Sequence, residues 1–455
     1  MPFTMNRKIF FLFGFFLCAF AGVSVYALDA PINARNPQAV QEVIAGNRTE
    51  ANAAWWGFDR EDSTEALQAA INSGAKRVIV PNMTKDWIVR PITLASHQEL
   101  VLEDGVVITA KRGEYRGTGD SVFTASDLMN VTIRGYGATV RMQKEDYIVG
   151  KVLVDFDWDR WFGKYEKAEW RMTLRIVGCT NVDVSGVTLR DSGGDGIYIG
   201  RTQKQPYCKN VRIRDVVCDN HYRQGISIIG ADGLHVENSV FKNTWGTPPS
   251  SGVDIEPNEA DERVRDIVFR NCLFADNYGD GIELFLAHLT QESGDVSIRF
   301  ENCRVTSSRG GGIRVSKVAD NGPGGLIEFR NCVVEDTEAY GIKVQDKSSE
   351  KALVRFNKCT LRNTANNRGY TAAWAPIWFH VYRSNVTAKF GGIDLIDCLV
   401  EDDEDRPAMV LEQTEGDSGI SKIRGILSVR NPYGVKVDLG KKQNGVTLTI
   451  KEIAN

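Results

Sequence analysis

Three things are missing from this 455-residue chain, and each removes a class of function. Basic residues are not in excess: 55 Lys+Arg stand against 59 Asp+Glu, a net charge of −4, so the basic stripe that marks a nucleic-acid-binding protein is lacking. The mild acidity still allows an anionic substrate, since lysines and arginines can gather locally at one site. No apolar run reaches the roughly 20 residues that a membrane-spanning helix needs; the one from Ile9 to about Gly22 falls short. No stretch rich in Pro, Gly or Ser divides the chain, which predicts one domain behind its leader. A hydrophobic content of 42% supplies that domain with a real core.

The short apolar run has a different reading. Arg7 and Lys8 precede it, and Val25-Tyr-Ala27 stands before Leu28-Asp-Ala-Pro31, the layout of a secretory signal peptide with small residues at the cut. The sequence therefore predicts a leader over residues 1–27, export from the cytoplasm, and no stable membrane anchor. Cys18 lies inside the run without small residues before it, which argues against a lipid anchor. The oligomeric state is left open.

A disulfide pattern is missing too, although the chain has nine cysteines. Five of them recur in one phrase: Phe269-Arg-Asn-Cys272, Phe300-Glu-Asn-Cys303, Phe329-Arg-Asn-Cys332, Phe356-Asn-Lys-Cys359 and Leu395-Ile-Asp-Cys398. One cysteine per repeat at one phase predicts a buried stack of small apolar side chains, a role free cysteine suits. The asparagines before three of them predict a second ladder that hydrogen-bonds backbone at a tight turn.

What is present is a repeat. The unit Gly-Ile-x-Ile occurs at Gly196-Ile-Tyr-Ile199, Gly225-Ile-Ser-Ile228, Gly252-Val-Asp-Ile255, Gly281-Ile-Glu-Leu284, Gly312-Ile-Arg-Val315 and Gly341-Ile-Lys-Val344, at intervals of 29, 27, 29, 31 and 29 residues. Such a fixed interval means stacked structural units. Alternation inside each unit means a strand whose apolar members face inward and whose variable member faces out. Parallel stacking then makes one exposed column of Tyr198, Ser227, Asp254, Glu283, Arg314 and Lys343.

Ahead of the repeats, residues 28–57 read as a lead-in and residues 58–455 as the domain. Asp62-Ser-Thr-Glu65 followed by Ala66-Leu-Gln-Ala-Ala-Ile71 predicts a capped amphipathic helix ending at Gly74. Lys76-Arg-Val-Ile-Val-Pro81 and several short strands follow. This opening, leading to Asn130-Val-Thr-Ile-Arg-Gly-Tyr-Gly-Ala138, resembles that of the pectin-lyase-like right-handed parallel β-helix proteins. The resemblance spans residue 58 to the end. It implies an all-β, single-stranded coil with the helix capping its N-terminal end, and an activity among glycosidases, polysaccharide lyases, uronate epimerases or tailspikes, with a polysaccharide or oligosaccharide as partner.

Residue by residue, the likeness is partial. Asp195-Gly-Ile197 matches the Asp-Gly-Ile phrase of polygalacturonases, but Gln224 stands where their Gly-His-Gly phrase has histidine, and their paired aspartates are absent. Gly252-Val-Asp-Ile-Glu256 is similar to the Gly-Phe-Asp-Pro-His phrase of alginate epimerases at Gly and Asp, with Glu256 in the histidine's place. That exchange removes the proton acceptor of those enzymes and favours acid–base hydrolysis.

Register brings the acids together. Parallel neighbours lie about 4.8 Å apart and alternate residues of a strand roughly 7 Å apart, so Asp254, Glu256 and Glu283 should converge, with Asp280 and Asp195 in the turns just before their units. Like charges opposed across strands destabilise a sheet, and at least one carboxyl of such a cluster should have its pKa raised, the condition for paired acid and base work. Asp254 with Glu283 suits the spacing of about 5–5.5 Å of a retaining glycosidase, and Glu256 with Glu283 the roughly 6.5–9.5 Å of an inverting one. The alternatives are a calcium site and a surface acid patch balanced by Arg314 and Lys343; no other cofactor is expected. His221, Tyr222 and Arg223, with Tyr198, Arg314 and Lys343, are candidates for substrate contact or for lyase chemistry, which needs a cation and a base such as Tyr or His. An aromatic insert over residues 141–172, with Trp158, Trp161, Trp170 and Arg171, is expected to line the groove, because loops inserted in a solenoid gather on one face. A non-catalytic sugar-binding or adhesive coil is the third reading.

Overall fold

A computed structural model describes residues 34–147, 170–367, 375–382, 389–414, 418–439 and 445–454. The leader, Trp158 and Trp161 lie outside the described residues. Every strand pairing in the two sheets is parallel, and each turn of the coil contributes three short strands. One wall is a separate sheet of 12 strands. It contains the repeat units as β1 (Ile197–Gly200), β2 (Ile226–Ile228), β3 (Val253–Ile255), β4 (Asp280–Phe285), β5 (Gly311–Val318) and β6 (Ile342–Lys347), followed by β7 (Ile377–Val381). The other two walls run as parallel ladders, one through Cys208–Arg214, Ala231–Glu237 and Val264–Arg270, the next through Val217–Asp219, Val240–Lys242 and Leu273–Ala275. The long strand Lys389–Glu401 turns the corner between them and joins both into one sheet of 24 strands. The fold is a right-handed parallel β-helix.

The helix at Thr64–Asn72 forms as the sequence predicts, burying Ala66, Leu67, Ala70 and Ile71. Ser63, the N-cap, makes no side-chain capping bond; Asp62, one residue earlier, accepts from the first helical amide, that of Thr64, at 3.1 Å instead. Gln98 from the first turns donates to the Ile71 and Ala75 carbonyls at 3.0 and 2.8 Å, which satisfies groups a helix end leaves open. The lead-in is more than a lead-in. Residues Glu50–Asn52 pair in parallel with Arg77–Ile79, so the coil begins before residue 58, and a further helix occupies Pro37–Ile44. The signal missed there was a strand of three residues, too short for alternation to show.

Inside the coil, like stacks on like. The rings of Phe269, Phe300, Phe329 and Phe356 follow one another at centroid distances of 4.8, 5.2 and 5.0 Å with planes within 10°. Each such ring contributes about 1.5–3 kcal/mol by leaving water. Cys272, Cys303, Cys332, Cys359 and Cys398 are buried and unpaired as the ladder requires, and Cys303 donates to the Glu301 carbonyl at 3.5 Å. The asparagine ladder exists in a different form from the one expected. Asn302 donates to Asn271 and Asn331 to Asn302, at 3.3 and 3.2 Å, side chain to side chain between turns. Their left-handed backbones, with φ near 54° and 51° at Asn302 and Asn331, carry the bend instead.

The repeat glycine has a steric cause. A Cβ on Gly196, Gly225 or Gly252 would lie 2.5, 2.5 or 2.7 Å from the carbonyl oxygen of the next unit's glycine. Any larger residue would push adjacent rungs apart at the corner where the acids enter. Among the described residues, no helix is long and apolar enough to cross a membrane.

Candidate functional site

The register comes out as the repeat predicts. Tyr198 pairs with Ser227, Ser227 with Asp254, Asp254 with Glu283, Glu283 with Arg314, and Arg314 with Lys343. The column points away from the core, because its neighbours Val253, Ile255, Ile282 and Leu284 fill the interior. It is not exposed, however. Asp254 and Glu283 are 1% and 6% accessible and Lys343 9%. Polar side chains from the corners between strands cover them, and a strand pattern carries no information about those.

Gln224 donates from Nε2 to Asp254 Oδ2 at 3.0 Å, and its own oxygen accepts from the Ser251 amide at 2.7 Å. The residue that replaces a family histidine therefore holds a carboxyl in place. Ser251 donates to Glu283 Oε2 at 3.1 Å, and Arg314 Nη1 to Glu283 Oε1 at 3.0 Å. Tyr340 donates to both oxygens of Asp280, at 2.8 and 3.0 Å. Arg223 joins three acids: Nη1 lies 3.6 Å from Asp195, and Nη2 lies 3.8 Å from Asp254 and 3.4 Å from Glu256. Asp195 is fully buried, while Glu256 is half-buried.

Five carboxyls thus share a small volume with Arg223, Arg314 and Lys343, and charge balances only if two carboxyls keep protons. Burial, then Glu283 and Glu256, push Asp254 well above the usual aspartate range against the pull of Arg223. Burial and Asp280 push Glu283 up to about 7, while Arg314 and Ser251 hold it down. Asp280 is raised by burial, with Arg314 and the Tyr340 hydroxyl opposing. Asp254 Oδ1 is buried with no hydrogen-bond partner, a cost a protonated oxygen bears more cheaply than an ionised one. Among the described residues, no three His, Cys, Asp or Glu side chains are arranged to hold a metal ion.

Several expected contact residues sit elsewhere. His221 is fully buried on Ser192, with Nδ1 2.7 Å from the hydroxyl, and burial pushes its pKa down to about 3. It is a neutral core histidine and offers no base to the column. Tyr222 is buried against Gly246. Arg171 is fully buried and donates to the Arg116 and Gly117 carbonyls at 2.8 and 3.1 Å over the Tyr147 ring, so it pins a loop and reaches no groove. Trp170 is exposed. Tyr198 is half-buried, and burial followed by Asp195 pushes its hydroxyl up to about 12. The residues that reading the strand kernels alone missed are Gln224, Ser251 and Tyr340. Each stands immediately before a repeat glycine, as Asp195 and Asp280 do, so extending the repeat by one position would have found them.

Residues 170–322 match the family model described as right handed beta helix region. The coil superposes on the family 28 exopolygalacturonase of Yersinia enterocolitica with a TM-score of 0.54, at 14% identity over 89% of this chain and 78% of that one. The likeness is one of fold, the right-handed parallel β-helix. This β-helix also superposes on PfbA, a surface adhesin of Streptococcus pneumoniae, with a TM-score of 0.51 at 12% identity, covering 90% of this chain and 92% of the adhesin. In sequence, 129 residues are 32% identical to the Bacillus subtilis (strain 168) protein called uncharacterized protein YclG, covering 26% of this chain and 22% of that protein. The β-helix thus spans about a fifth of the length of that relative.

Proposed function

We propose that this β-helix is a carbohydrate-active enzyme that cleaves a polysaccharide or oligosaccharide by hydrolysis. The same coil serves an exopolygalacturonase and an adhesin, so the fold does not choose between catalysis and adhesion. The observation that favours catalysis is the pair on adjacent rungs, two buried carboxyls in opposite environments. A coil that only binds sugar has no use for like charges buried side by side, which cost stability.

Glu283, held between Arg314 and Ser251, takes the ionised role above about pH 7, and Asp254, with one oxygen unpartnered, is the one built to keep its proton. The strand pattern alone suggests the opposite order, Glu283 as the acid and Asp254 as the nucleophile or base. Asp254 gives its proton to the glycosidic oxygen as the bond to the sugar breaks. Glu283 either bonds the sugar carbon, water later releasing it, or takes a proton from the attacking water. Rung spacing of about 4.8 Å fits the first course. Glu256, the half-buried carboxyl at the mouth, is the alternative base. The layout of residues 1–27 supports a site of action outside the cytoplasm.

Incubating the protein with a panel of polysaccharides tests this directly. New reducing ends without an unsaturated chromophore are expected, and D254N and E283Q should each lower turnover by at least about a thousandfold, near 4 kcal/mol, with the fold unchanged. An unsaturated end group would mean elimination, and full activity in both variants would remove the assignment.

A further inference from the structure

The carboxyl pair lies under cover, but the next outward position of the same strands does not. Alternation along β4 sends Glu283 outward and, two residues later, Phe285. Phe285 pairs with Ser316 on the following rung and takes no place in the core. Because Ile255 pairs with Leu284, the residues after them, Glu256 and Phe285, stand side by side about 4.8 Å apart. Both are half-buried, with atoms in reach of solvent, where Asp254 and Glu283 are covered.

A histidine completes the group. The loop after β4 sets the exposed His288 against Phe285, ring centroids 6.4 Å apart and planes at 61°. Its Nδ1 lies 3.0 Å from the carbonyl oxygen of Pro257, the residue that follows Glu256. A carbonyl only accepts, so Nδ1 carries the hydrogen, and among the described residues Nε2 has no partner. Glu256 is in a similar state: Oε2 meets Arg223 at 3.4 Å, and Oε1 has no partner among the described residues. An aromatic face thus stands between two open acceptors. What fits there has an apolar face and donors around its rim. A ring bearing carboxylate or sulfate brings the wrong sign beside Glu256. A pyranose with free hydroxyls brings both features, axial hydrogens for the aromatic face and hydroxyl donors at the edge.

We propose that Phe285, Glu256 and His288 form a subsite for a neutral sugar ring, which stacks on Phe285 and donates hydroxyls to Glu256 Oε1 and His288 Nε2. This subsite selects a chain unit with free hydroxyls over one that carries an anionic group. The inference rests on the reading of the column as a sugar-cleaving site, but binding can test it without turnover.

Calorimetric titration of the full chain carrying D254N, which stops cleavage, would compare hexamers of glucose, mannose, galactose and xylose with a hexamer of galacturonate. At least one neutral hexamer should bind at millimolar concentration or below, about tenfold or more tighter than the acidic one. F285A should weaken that binding at least about tenfold, while F285Y, which keeps the face, should retain it. H288A, at an exposed position, should weaken it about threefold or more through the lost acceptor. E256Q, which removes the charge, should narrow the gap between neutral and acidic chains. Binding of no neutral hexamer at millimolar concentration, an acidic hexamer bound tighter than every neutral one, or full affinity in a folded F285A or in H288A overturns the proposal. Unsubstituted protein that releases no reducing ends from any polysaccharide, while these affinities hold, would overturn the hydrolase reading alone.

Discussion

The two kinds of wall in this coil treat charge in opposite ways. On the large sheet, signs alternate from rung to rung: Arg299, Glu328, Arg355, Asp394 and Arg424 form one line, each within 3.9 Å of the next. Arg304, Glu335, Arg362, Glu401 and Arg430 form another. Those arginines are half-buried or exposed, and every acid has a cation on either side. On the small sheet, Asp254 and Glu283 are consecutive, buried and of the same sign. The register is the same in both places, so geometry does not force the exception. Alternation is what a β-helix does with charge when only stability is at stake, and the like pair marks where something else is at stake.

The largest way to break this contrast is to remove the cation that the small wall does have. R223M leaves Asp195, Asp254 and Glu256 without a shared partner and should cost about 3–5 kcal/mol in urea unfolding. Unchanged stability between pH 5 and 8 would show that the three acids do not depend on Arg223.

A smaller effect sharpens the contrast through pH. Glu283 moves from the usual 4.5 to about 7 on folding, so the folded chain holds a proton that the unfolded chain has lost. Its contribution is fully present below about pH 4.5 and gone above about pH 7. Stability should therefore fall with rising pH across that window by up to about 3 kcal/mol. E283Q should flatten the slope in thermal melts taken at each pH. A slope identical in both proteins would place the shift elsewhere.

The smallest effect belongs to the other wall. R362A, which opens contacts to both Glu335 and Glu401 at an exposed position, should cost less than about 1 kcal/mol, and less still in 1 M salt. A cost as large as that of R223M would erase the distinction between the walls.

Much of this was legible in the sequence, and the limit falls at the same place for fold and site. Gly252-Val-Asp-Ile255 and Gly281-Ile-Glu-Leu284 fix which acid lies beside which, because a parallel stack of equal units leaves one register. The Cys303 and Cys332 positions fixed a core ladder for the same reason. The cover over the column was not legible. Gln224, Ser251 and Tyr340 enter from corners, where alternation stops, and Tyr340 reaches Asp280 across two rungs. His221 and Arg171 carry functional chemistry in their side chains, and only long-range packing shows that both serve the interior. The strand at Glu50–Asn52 escaped because three residues are too few to display a period.

The stacked cysteines have a consequence for how this chain dies. Among the described residues eight thiols are buried and unpaired, out of reach of oxidants while the coil is closed. Once it opens, all of them meet solvent together, at spacings that match no native bridge, and in air they will crosslink at random. Heat or denaturant should therefore cause one-way loss under oxidising conditions and a recoverable change with reductant present, so the lifetime of this protein is set by how rarely it opens.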